Sequence, residues 1–277
     1  MKVLIVGAAG QLGQTMTARL SGEHDVTGWT RRDIELTRHQ DVREAIGELA
    51  PEAIVNCAGF NQVDAAEENQ AAALDVNAMV VGTLARAAAA LGAVLMHYST
   101  DFVFAGTALK PYTETDTPEP RSAYAQSKLI GEWLAADAPK HYVLRVESLF
   151  GGPLRRSSVD RIVELVRSGK QAPVFVDRVV SPSFVADVAD ASAFVLGAQP
   201  ASGVYHCVNS GHATWMAVAQ EIVKRLGGSE ASLDPISVKD VRLRAERPQF
   251  AALDNSKLAR AGYVMPSWQD AIARYIP

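Results

Sequence analysis

The sequence is poor in the residues that mark several classes of protein. Its 277 residues include only two cysteines, Cys57 and Cys207, without metal-like spacing, so a reducing cytoplasm is the expected setting. The net charge is −4 and no long basic run occurs, which argues against nucleic acid and anionic membranes as partners. The chain begins without a signal-peptide pattern, and polar residues interrupt the apolar stretch 71–93, so we expect no membrane span. Scattered carboxylates predict no metal site.

Strands and helices alternate through the first half of the chain. Short apolar runs rich in β-branched residues predict strands at 3–6, 26–30, 53–57, 93–98 and 142–146. Helical patterns at 41–49, 70–91 and 124–136 separate most of them. Strands joined by helices form mostly parallel sheets with helices on both faces. The predicted fold class is therefore α/β, with a doubly wound parallel Rossmann sheet.

The pattern is less regular after residue 146. Helices are expected at 159–167, 185–196, 215–226 and 268–275, with short strands at 174–176 and 204–207. We interpret this half as a smaller C-terminal α/β substrate domain over the rim of the sheet. The helix at 185–196 is expected to return to the main sheet, so the domain built on that sheet would comprise 1–146 and about 178–200. Segments 147–177 and 201–277 would then form the substrate-binding domain.

A glycine-rich turn follows the first predicted strand at once. The segment GAAGQLG at 7–13 lies between this strand and a helical pattern, which is the context of a dinucleotide fingerprint. Its glycines let the chain turn tightly and approach a pyrophosphate, and the helix N-terminus offers free N–H groups. The spacing is GxxGxxG rather than the commoner GxGxxG. It predicts a cofactor site formed by Gly7, Gly10, Gln11, Leu12 and Gly13.

Two short motifs supply the parts for reducing a carbonyl group. Tyr124 and Lys128 are four residues apart, which places them on one side of a helix. A nearby ammonium favours the phenolate and would lower the tyrosine pKa from about 10 toward neutral pH. A hydroxyl of Ser99 or Thr100, after the fourth predicted strand, could hold the carbonyl oxygen. The alternative interpretations are a chance pair on a surface helix and a threonine that only caps a turn.

Longer motifs resemble the extended short-chain dehydrogenase/reductase family over almost the whole chain. They are STDFVFAG at 99–106, YAQSKLIGE at 124–132, SPS at 181–183, RP at 247–248 and LDNSKL at 253–258. The resemblance implies NADPH-dependent reduction of a nucleotide-linked 4-keto-6-deoxy sugar, a step of deoxysugar biosynthesis. Tyr124 would protonate the carbonyl oxygen and Thr100 would hydrogen-bond it. Lys128 would lower the pKa of Tyr124 and bind the nicotinamide ribose.

The resemblance also assigns residues to the two sides of the site. Asp101 joins the catalytic residues, where it would orient the site or touch the sugar. The cofactor side would add Arg31, Asp33, Ile34, Cys57, Ala58, Gly59, Asn77 and Ser99 to the glycine turn, Tyr124 and Lys128. Of these, Asn77 would brace the site from the long helix. The substrate side would comprise Val103, Phe104, Glu147 and Arg247.

Two arginines at the end of the second predicted strand bear on cofactor choice. An acidic residue there would bind a ribose 2′-hydroxyl and repel a 2′-phosphate. Arg31 and Arg32 instead offer guanidinium groups suited to phosphate, although an ordinary solvated turn is the other interpretation. We predict a preference for NADPH, and NADH use is compatible with the adjacent Asp33.

Two other functions fit the same motifs. A nucleotide-sugar epimerase or dehydratase would keep NAD tightly bound, whereas a reductase exchanges NADPH at each turnover. A non-catalytic dinucleotide-binding regulatory subunit is the second alternative, although pure binding has no need of Thr100, Tyr124 and Lys128 together. The expected partner is a nucleotide-sugar substrate, and a homodimer is compatible with the sequence.

Overall fold

The computed structural model describes residues 1–276, and within them a six-stranded parallel sheet carries helices on both faces. The strands are β1 (Lys2–Val6), β2 (Asp25–Trp29), β3 (Ala53–Asn56), β4 (Val94–Thr100), β5 (His141–Val146), β6 (Leu149–Phe150), β7 (Ala172–Phe175), β8 (Val179–Val180), β9 (Ser183–Phe184), β10 (Gly203–His206), β11 (Ala213–Thr214) and β12 (Leu233–Ile236). The helices are α1 (Gln11–Leu20), α2 (His39–Leu49), α3 (Val63–Glu68), α4 (Gln70–Leu74), α5 (Val80–Leu91), α6 (Ala123–Ala135), α7 (Ser158–Arg167), α8 (Val185–Ala198), α9 (Trp215–Arg225), α10 (Ser256–Arg260) and α11 (Trp268–Tyr275).

The order of the strands creates a crevice for a ligand. The central sheet has the order β10-β5-β4-β3-β1-β2, and all its neighbouring strands pair in parallel. After β1 the chain adds β2 on one side and then returns to the other side of β1 as β3. The carboxyl ends of β1 and β3 therefore flank a topological switch point, where sheets of this kind bind ligands. The predicted doubly wound α/β class is confirmed.

Alternating side chains of the strands fill two cores, one on each face of the sheet. On β1, Val3 and Ile5 are buried with α1 and α8, whereas Leu4 and Val6 are buried with α2 and α5. Strands covered on both faces become almost continuously apolar, which is the pattern of this strand in the sequence. The two cores hold the strand ends in fixed positions, and those ends carry the candidate site.

The second half of the chain has a hydrophobic core of its own. Helices α7, α9 and α11 enclose it, and the parallel pair β7–β12 lies at its side. The division into two domains stays a prediction, but one strand lies elsewhere than we expected. We assigned 201–277 to the substrate-binding domain, whereas β10 pairs with β5 at the edge of the central sheet. A short strand after an irregular loop gives no sequence signal of which sheet it joins.

The helical stretch Gln70–Leu91 is long and apolar enough to cross a membrane by length and composition, which our sequence reading had not expected. In this structure 56% of its most apolar window is buried inside the protein. A core helix of a soluble protein passes the same test, so the match is weak evidence. A π-helical segment, Asp75–Met79, interrupts the stretch between α4 and α5.

Candidate active site

The glycine turn after β1 allows a very close approach of backbone segments. Gly7 has a φ of 81°, in the left-handed region that favours glycine, and a Cβ there would lie 2.7 Å from the Ala58 nitrogen. A Cβ on Gly13 would lie 2.2 Å from the Gly7 carbonyl oxygen. The start of α1 can therefore pack this tightly onto the turn only because both positions are glycine.

The N-terminus of α1 faces a cavity at the carboxyl ends of the strands. Gly10 precedes this helix, and no side chain of residues 1–276 caps it with a hydrogen bond. Gly10, Gln11 and Leu12 line the cavity, which has a volume of about 530 Å³. Free N–H groups and the positive end of the helix dipole suit such a terminus to phosphate. The turn and the open helix end thus fit a dinucleotide pyrophosphate.

The same cavity extends along the ends of β3 and β4 to α6. Its wall brings together predicted site residues from five separate segments of the chain. The predicted site residues that line it are Gly10, Gln11, Leu12, Cys57, Ala58, Ser99, Thr100, Asp101, Tyr124, Lys128 and Glu147. Burial raises the pKa of the Cys57 thiol, so this cysteine is a packing residue rather than a nucleophile.

Helix α6 carries the tyrosine and the lysine. The helix begins after Ser122, whose hydroxyl accepts a backbone N–H of the first turn at 3.2 Å. Tyr124 is 8% exposed, and its ring packs edge-on against Phe102 with the centroids 5.8 Å apart. One turn later, Lys128 Nζ donates a hydrogen bond to the Tyr98 carbonyl oxygen at 2.5 Å. Both side chains are held by the protein and are buried within the cavity wall.

Thr100 connects the tyrosine to a carboxyl group. Its Oγ1 accepts the Phe102 N–H at 3.2 Å and donates to Asp101 Oδ1 at 2.9 Å. Thr100 also lowers the pKa of the Tyr124 phenol, an effect smaller than that of burial. The hydroxyl is therefore both a turn cap and a member of the polar cluster.

Burial dominates the ionisation of the tyrosine and the lysine. Desolvation raises the pKa of Tyr124 above its ordinary value, and the lowering by Thr100 does not compensate for it. Desolvation lowers the pKa of Lys128 to about 8, against the charge of Glu132, which raises it. Our expectation that Lys128 lowers the pKa of Tyr124 is therefore wrong for this structure, in which the ammonium is directed to the Tyr98 carbonyl. The phenol stays protonated at neutral pH, as a proton donor must.

Two carboxyl groups lie buried beside this cluster. Burial raises the pKa of Asp101 to about 7, although the Thr100 hydrogen bond and the charge of Arg178 lower it. Burial, and next the charge of Asp101, raise the pKa of Glu147 well above its usual range. Near neutral pH, this pair therefore keeps at least part of its protons, and the cavity wall can both donate and accept hydrogen bonds.

Asn77 and Gly59 support the site from outside the cavity wall. The Asn77 amide accepts the Phe60 N–H at 2.8 Å and donates to the Phe60 carbonyl at 3.1 Å and to Ser127 Oγ at 2.9 Å. A Cβ on Gly59 would lie 3.3 Å from Asn77 Oδ1. Asn77 thus braces the loop after β3 against α6, which is the bracing position that the sequence suggested; cofactor contact by either residue stays a prediction.

Three residues predicted for the cofactor side, Arg31, Asp33 and Ile34, follow β2 and lie outside the cavity lining of the described chain. Arg31 is exposed there. Asp33 Oδ2 accepts the Thr30 N–H at 2.8 Å and the Thr30 hydroxyl at 2.7 Å, which lowers the pKa of this carboxyl. Ile34 packs partly against the core between the sheet and α2. One oxygen of Asp33 is therefore occupied by the turn, while the Arg31 side chain extends into solvent.

Three of the four predicted substrate residues are placed differently from our expectation. Val103 and Phe104 are fully buried in a core cluster, and Phe104 stacks on Tyr112 with the ring centroids 4.2 Å apart. Arg247 binds Asp64 Oδ2 at 2.7 Å and ties its loop to α3. None of the three is among the cavity-lining residues of the described chain; only Glu147 is. A motif shared within a family does not separate core positions from contact positions.

The cavity wall also includes residues that the sequence did not single out. They are Asn61, Val63, Tyr98, Phe102, Val146, Ser148, Leu149, Arg156, Ser157, Ser158, Arg178 and Trp215. Arg178 is the most informative, because it is the charged neighbour of Asp101 and Glu147. Its position three residues after β7 gave no signal before the fold was known. Within the described residues, no group of three or more His, Cys, Asp or Glu side chains could hold a metal ion.

Comparison with known proteins agrees over the whole chain. The family model described as RmlD substrate binding domain matches residues 1–277. A dTDP-4-dehydrorhamnose reductase from Streptomyces griseus is 34% identical, with 99% of this chain and 92% of the relative covered. A probable dTDP-4,6-dihydroxy-2-methyloxan-3-one 4-ketoreductase from Streptomyces antibioticus is 35% identical, with 100% and 95% covered. The crystal structure of a dTDP-4-dehydrorhamnose reductase from Bacillus anthracis in complex with NADP has a TM-score of 0.93 at 28% identity, covering 99% of this chain and 98% of that one.

Proposed function

The chain belongs to the RmlD substrate binding domain family and is similar over its whole length to dTDP-4-dehydrorhamnose reductases, and from this premise we propose that it reduces a nucleotide-linked 4-keto-6-deoxy sugar with NADPH. The observation that carries the proposal is one cavity that joins the open N-terminus of α1 to Thr100, Tyr124 and Lys128. Phosphate binding and carbonyl chemistry thus meet in a single space.

The residues present fit the dinucleotide that this chemistry needs. Gly7 and Gly13 let the turn and the start of α1 pack closely together, and the first turn of α1 offers N–H groups to the cavity. A reduced nicotinamide, when bound, supplies the hydride for the ketone carbon. Lys128, buried one helical turn from Tyr124, is the group proposed to hold the nicotinamide ribose.

Tyr124 is the proposed general acid. Its pKa is raised by burial, so the phenol carries the proton that the carbonyl oxygen takes as the carbon–oxygen double bond becomes a single bond. Thr100 Oγ1 would hold the same oxygen and orient it toward the phenol. In this structure the Thr100 hydroxyl donates its one proton to Asp101 Oδ1 at 2.9 Å, so it would turn this proton to the ketone oxygen when the substrate binds. After the reaction Tyr124 is left as a phenolate, which must take a proton from solvent before the next turnover.

Consumption of added NADPH tests the proposal. The purified protein is expected to oxidise NADPH with dTDP-4-dehydrorhamnose or with a dTDP-linked 4-keto sugar that lacks the 2-hydroxyl. An epimerase or dehydratase would instead convert its substrate with tightly held NAD and no net NADPH loss. A regulatory subunit would bind the dinucleotide and turn over none of the sugars.

Arg31→Ala is expected to raise the KM for NADPH about tenfold and to leave the KM for NADH within about twofold. A guanidinium–phosphate contact is charge-assisted, and solvent screening keeps it modest because Arg31 is exposed. Initial rates with each cofactor at low ionic strength measure the effect, and Arg43→Ala on α2 is the control. Equal losses with NADPH and NADH would contradict the assignment of Arg31 to the 2′-phosphate.

The remaining features of the proposal concern setting and partners. A nucleotide sugar is the substrate partner, and we place the enzyme in the cytoplasm, where NADPH is available. Cys57 and Cys207 are free thiols in the described chain, which suits a reducing compartment. A homodimer and the lack of nucleic-acid and membrane partners stay predictions from the sequence.

A further inference from the structure

Glu147 lines the cavity, and it has one carboxyl oxygen engaged and one buried oxygen without a partner in the described chain. The residue follows β5 and is 2% exposed. Its Oε2 accepts the Ser181 N–H at 2.6 Å, which fixes the side chain. Its Oε1 is buried and has no hydrogen-bond partner among residues 1–276, although the residue lines the cavity. Buried polar atoms of native proteins are nearly always paired, so the unpaired oxygen of this cavity-lining residue is a candidate to bind a polar group of a ligand.

The Asp101 carboxyl has one oxygen without a partner, like the carboxyl of Glu147. This oxygen is also buried without a partner in the described part of the chain. The two carboxyls are close enough for the charge of Asp101 to raise the pKa of Glu147. Since Asp101 Oδ1 binds Thr100 Oγ1, the carboxyl pair lies next to the position proposed for the ketone oxygen. A group bound by the pair would therefore sit on the part of the sugar ring adjacent to the ketone.

Arg178 completes the cluster from the other half of the chain. It lines the cavity, and its Nε donates to the Pro248 carbonyl at 3.3 Å. The charges of Asp101 and Glu147 both raise its pKa, against burial, which is the larger effect and lowers it. One guanidinium facing two carboxyls offsets part of their repulsion. The cluster is thus a preformed polar wall rather than a salt bridge that closes on itself.

We propose that Glu147, supported by Arg178, is a specificity-determining residue whose Oε1 binds the sugar hydroxyl on the carbon next to the ketone. The inference rests on the proposed function and specifies its substrate class, namely 4-keto sugar nucleotides that retain this hydroxyl. A hydroxyl can donate to one carboxyl oxygen and accept from a protonated one, which matches the two unpaired oxygens, Glu147 Oε1 and Asp101 Oδ2. A site built to hydrogen-bond a hydroxyl rejects the analogue that lacks it, because its buried polar atoms then stay unpaired.

The test compares a dTDP-4-keto-6-deoxy sugar with its 3-deoxy counterpart. Wild-type protein is expected to prefer the 3-hydroxyl substrate by about 30-fold or more in kcat/KM, which is the effect expected from one hydrogen bond to a charged group. Glu147→Ala is expected to lower kcat/KM for the hydroxyl substrate at least about tenfold and to change the 3-deoxy substrate less than threefold. Asp116→Asn is the control, since its carboxylate accepts the Thr113 hydroxyl at 2.9 Å and lies outside the cavity lining of residues 1–276.

A structural role for Glu147 would give a different pattern. Equal losses on both substrates in Glu147→Ala, or a wild-type enzyme that does not distinguish them, would overturn the inference while leaving the reductase function in place. Calorimetry can compare how tightly the 3-hydroxyl and 3-deoxy product nucleotides bind to NADP-loaded wild-type protein. This measurement needs neither a folded variant nor turnover. Tighter binding of the hydroxyl product by about tenfold or more supports the inference, and equal binding contradicts it. Absence of NADPH oxidation with every 4-keto sugar nucleotide would instead count against the proposed function.

Discussion

Tyr124→Phe is expected to lower kcat for the NADPH-dependent reduction about 10³-fold, which is within the range of general acid catalysis. The substitution removes the phenol proton that is proposed to go to the ketone oxygen, and it keeps the aromatic ring. Because that ring already packs edge-on against Phe102 at 5.8 Å, phenylalanine fits the same space. The KM values and the thermal stability should therefore change little. Steady-state rates and fluorescence titration with NADPH separate loss of chemistry from loss of binding.

Tyr142→Phe is the matched control for this experiment. The Tyr142 hydroxyl binds the Pro200 carbonyl at 2.7 Å, and Tyr142 is not a cavity-lining residue in the described structure. Its kcat should remain within about twofold of the wild type. A Tyr124→Phe enzyme that kept more than a tenth of wild-type kcat would show that another group donates the proton, and the general-acid role of Tyr124 would have to be abandoned.

The parts of the site that the sequence predicted are those with local signatures. The turn at Gly7 and Gly13 follows from strand, glycines and helix in direct succession, and Tyr124 and Lys128 follow from helical spacing. The carboxyl ends of parallel strands lie on one edge of the sheet, and for this reason Thr100 was predicted to lie near the glycine turn. These inferences need no knowledge of the second half of the chain, and the cavity of the structure includes Tyr124, Lys128 and Thr100.

The parts that the sequence did not predict depend on contacts between distant segments. Arg178 reaches the cavity from a loop whose place is fixed only when the second core packs over the sheet. Phe104 belongs to the same motif as Thr100, yet the short turn Asp101–Val103 directs it into a core cluster with Tyr112. Whether a motif residue faces ligand or core is therefore decided by tertiary packing, which neither spacing nor family resemblance records.

The direction of the Tyr124 pKa shows the same limit for electrostatics. Spacing places the ammonium of Lys128 on the same side of the helix, and this alone predicts a lowered pKa of the phenol. The structure adds desolvation, which acts on both groups and is the larger effect on each. Lys128 is also bound to the Tyr98 carbonyl, and its charge is not among the effects that shift the pKa of the phenol. Burial is a property of the assembled cavity, and a sequence pattern gives no measure of it.

Lys128→Met is expected to reduce kcat/KM at least about 10²-fold and at the same time to make the protein more stable at pH 7. Lys128 is 4% exposed, and burial lowers its pKa to about 8 from 10.5. At pH 7 the surroundings of the ammonium in the folded state disfavour its charge. This lowers the free energy of unfolding by about 3 kcal/mol. Loss of the hydrogen bond to the Tyr98 carbonyl offsets part of the gain.

The pH dependence of this stability difference identifies its cause. A lysine whose pKa is lowered in the folded state destabilises the protein most when the pH is below that pKa. The penalty disappears as the pH rises from about 8 through the pKa of the unfolded chain, near 10.5. Urea unfolding should therefore show Lys128→Met more stable than wild type at pH 7, with a smaller difference at pH 9.5. Lys140→Met, at an exposed lysine, should change neither activity nor this profile. A Lys128→Met protein with equal or lower stability at pH 7 would mean that the Tyr98 hydrogen bond outweighs the burial of the charge, and that this lysine is retained for structure as well as for chemistry.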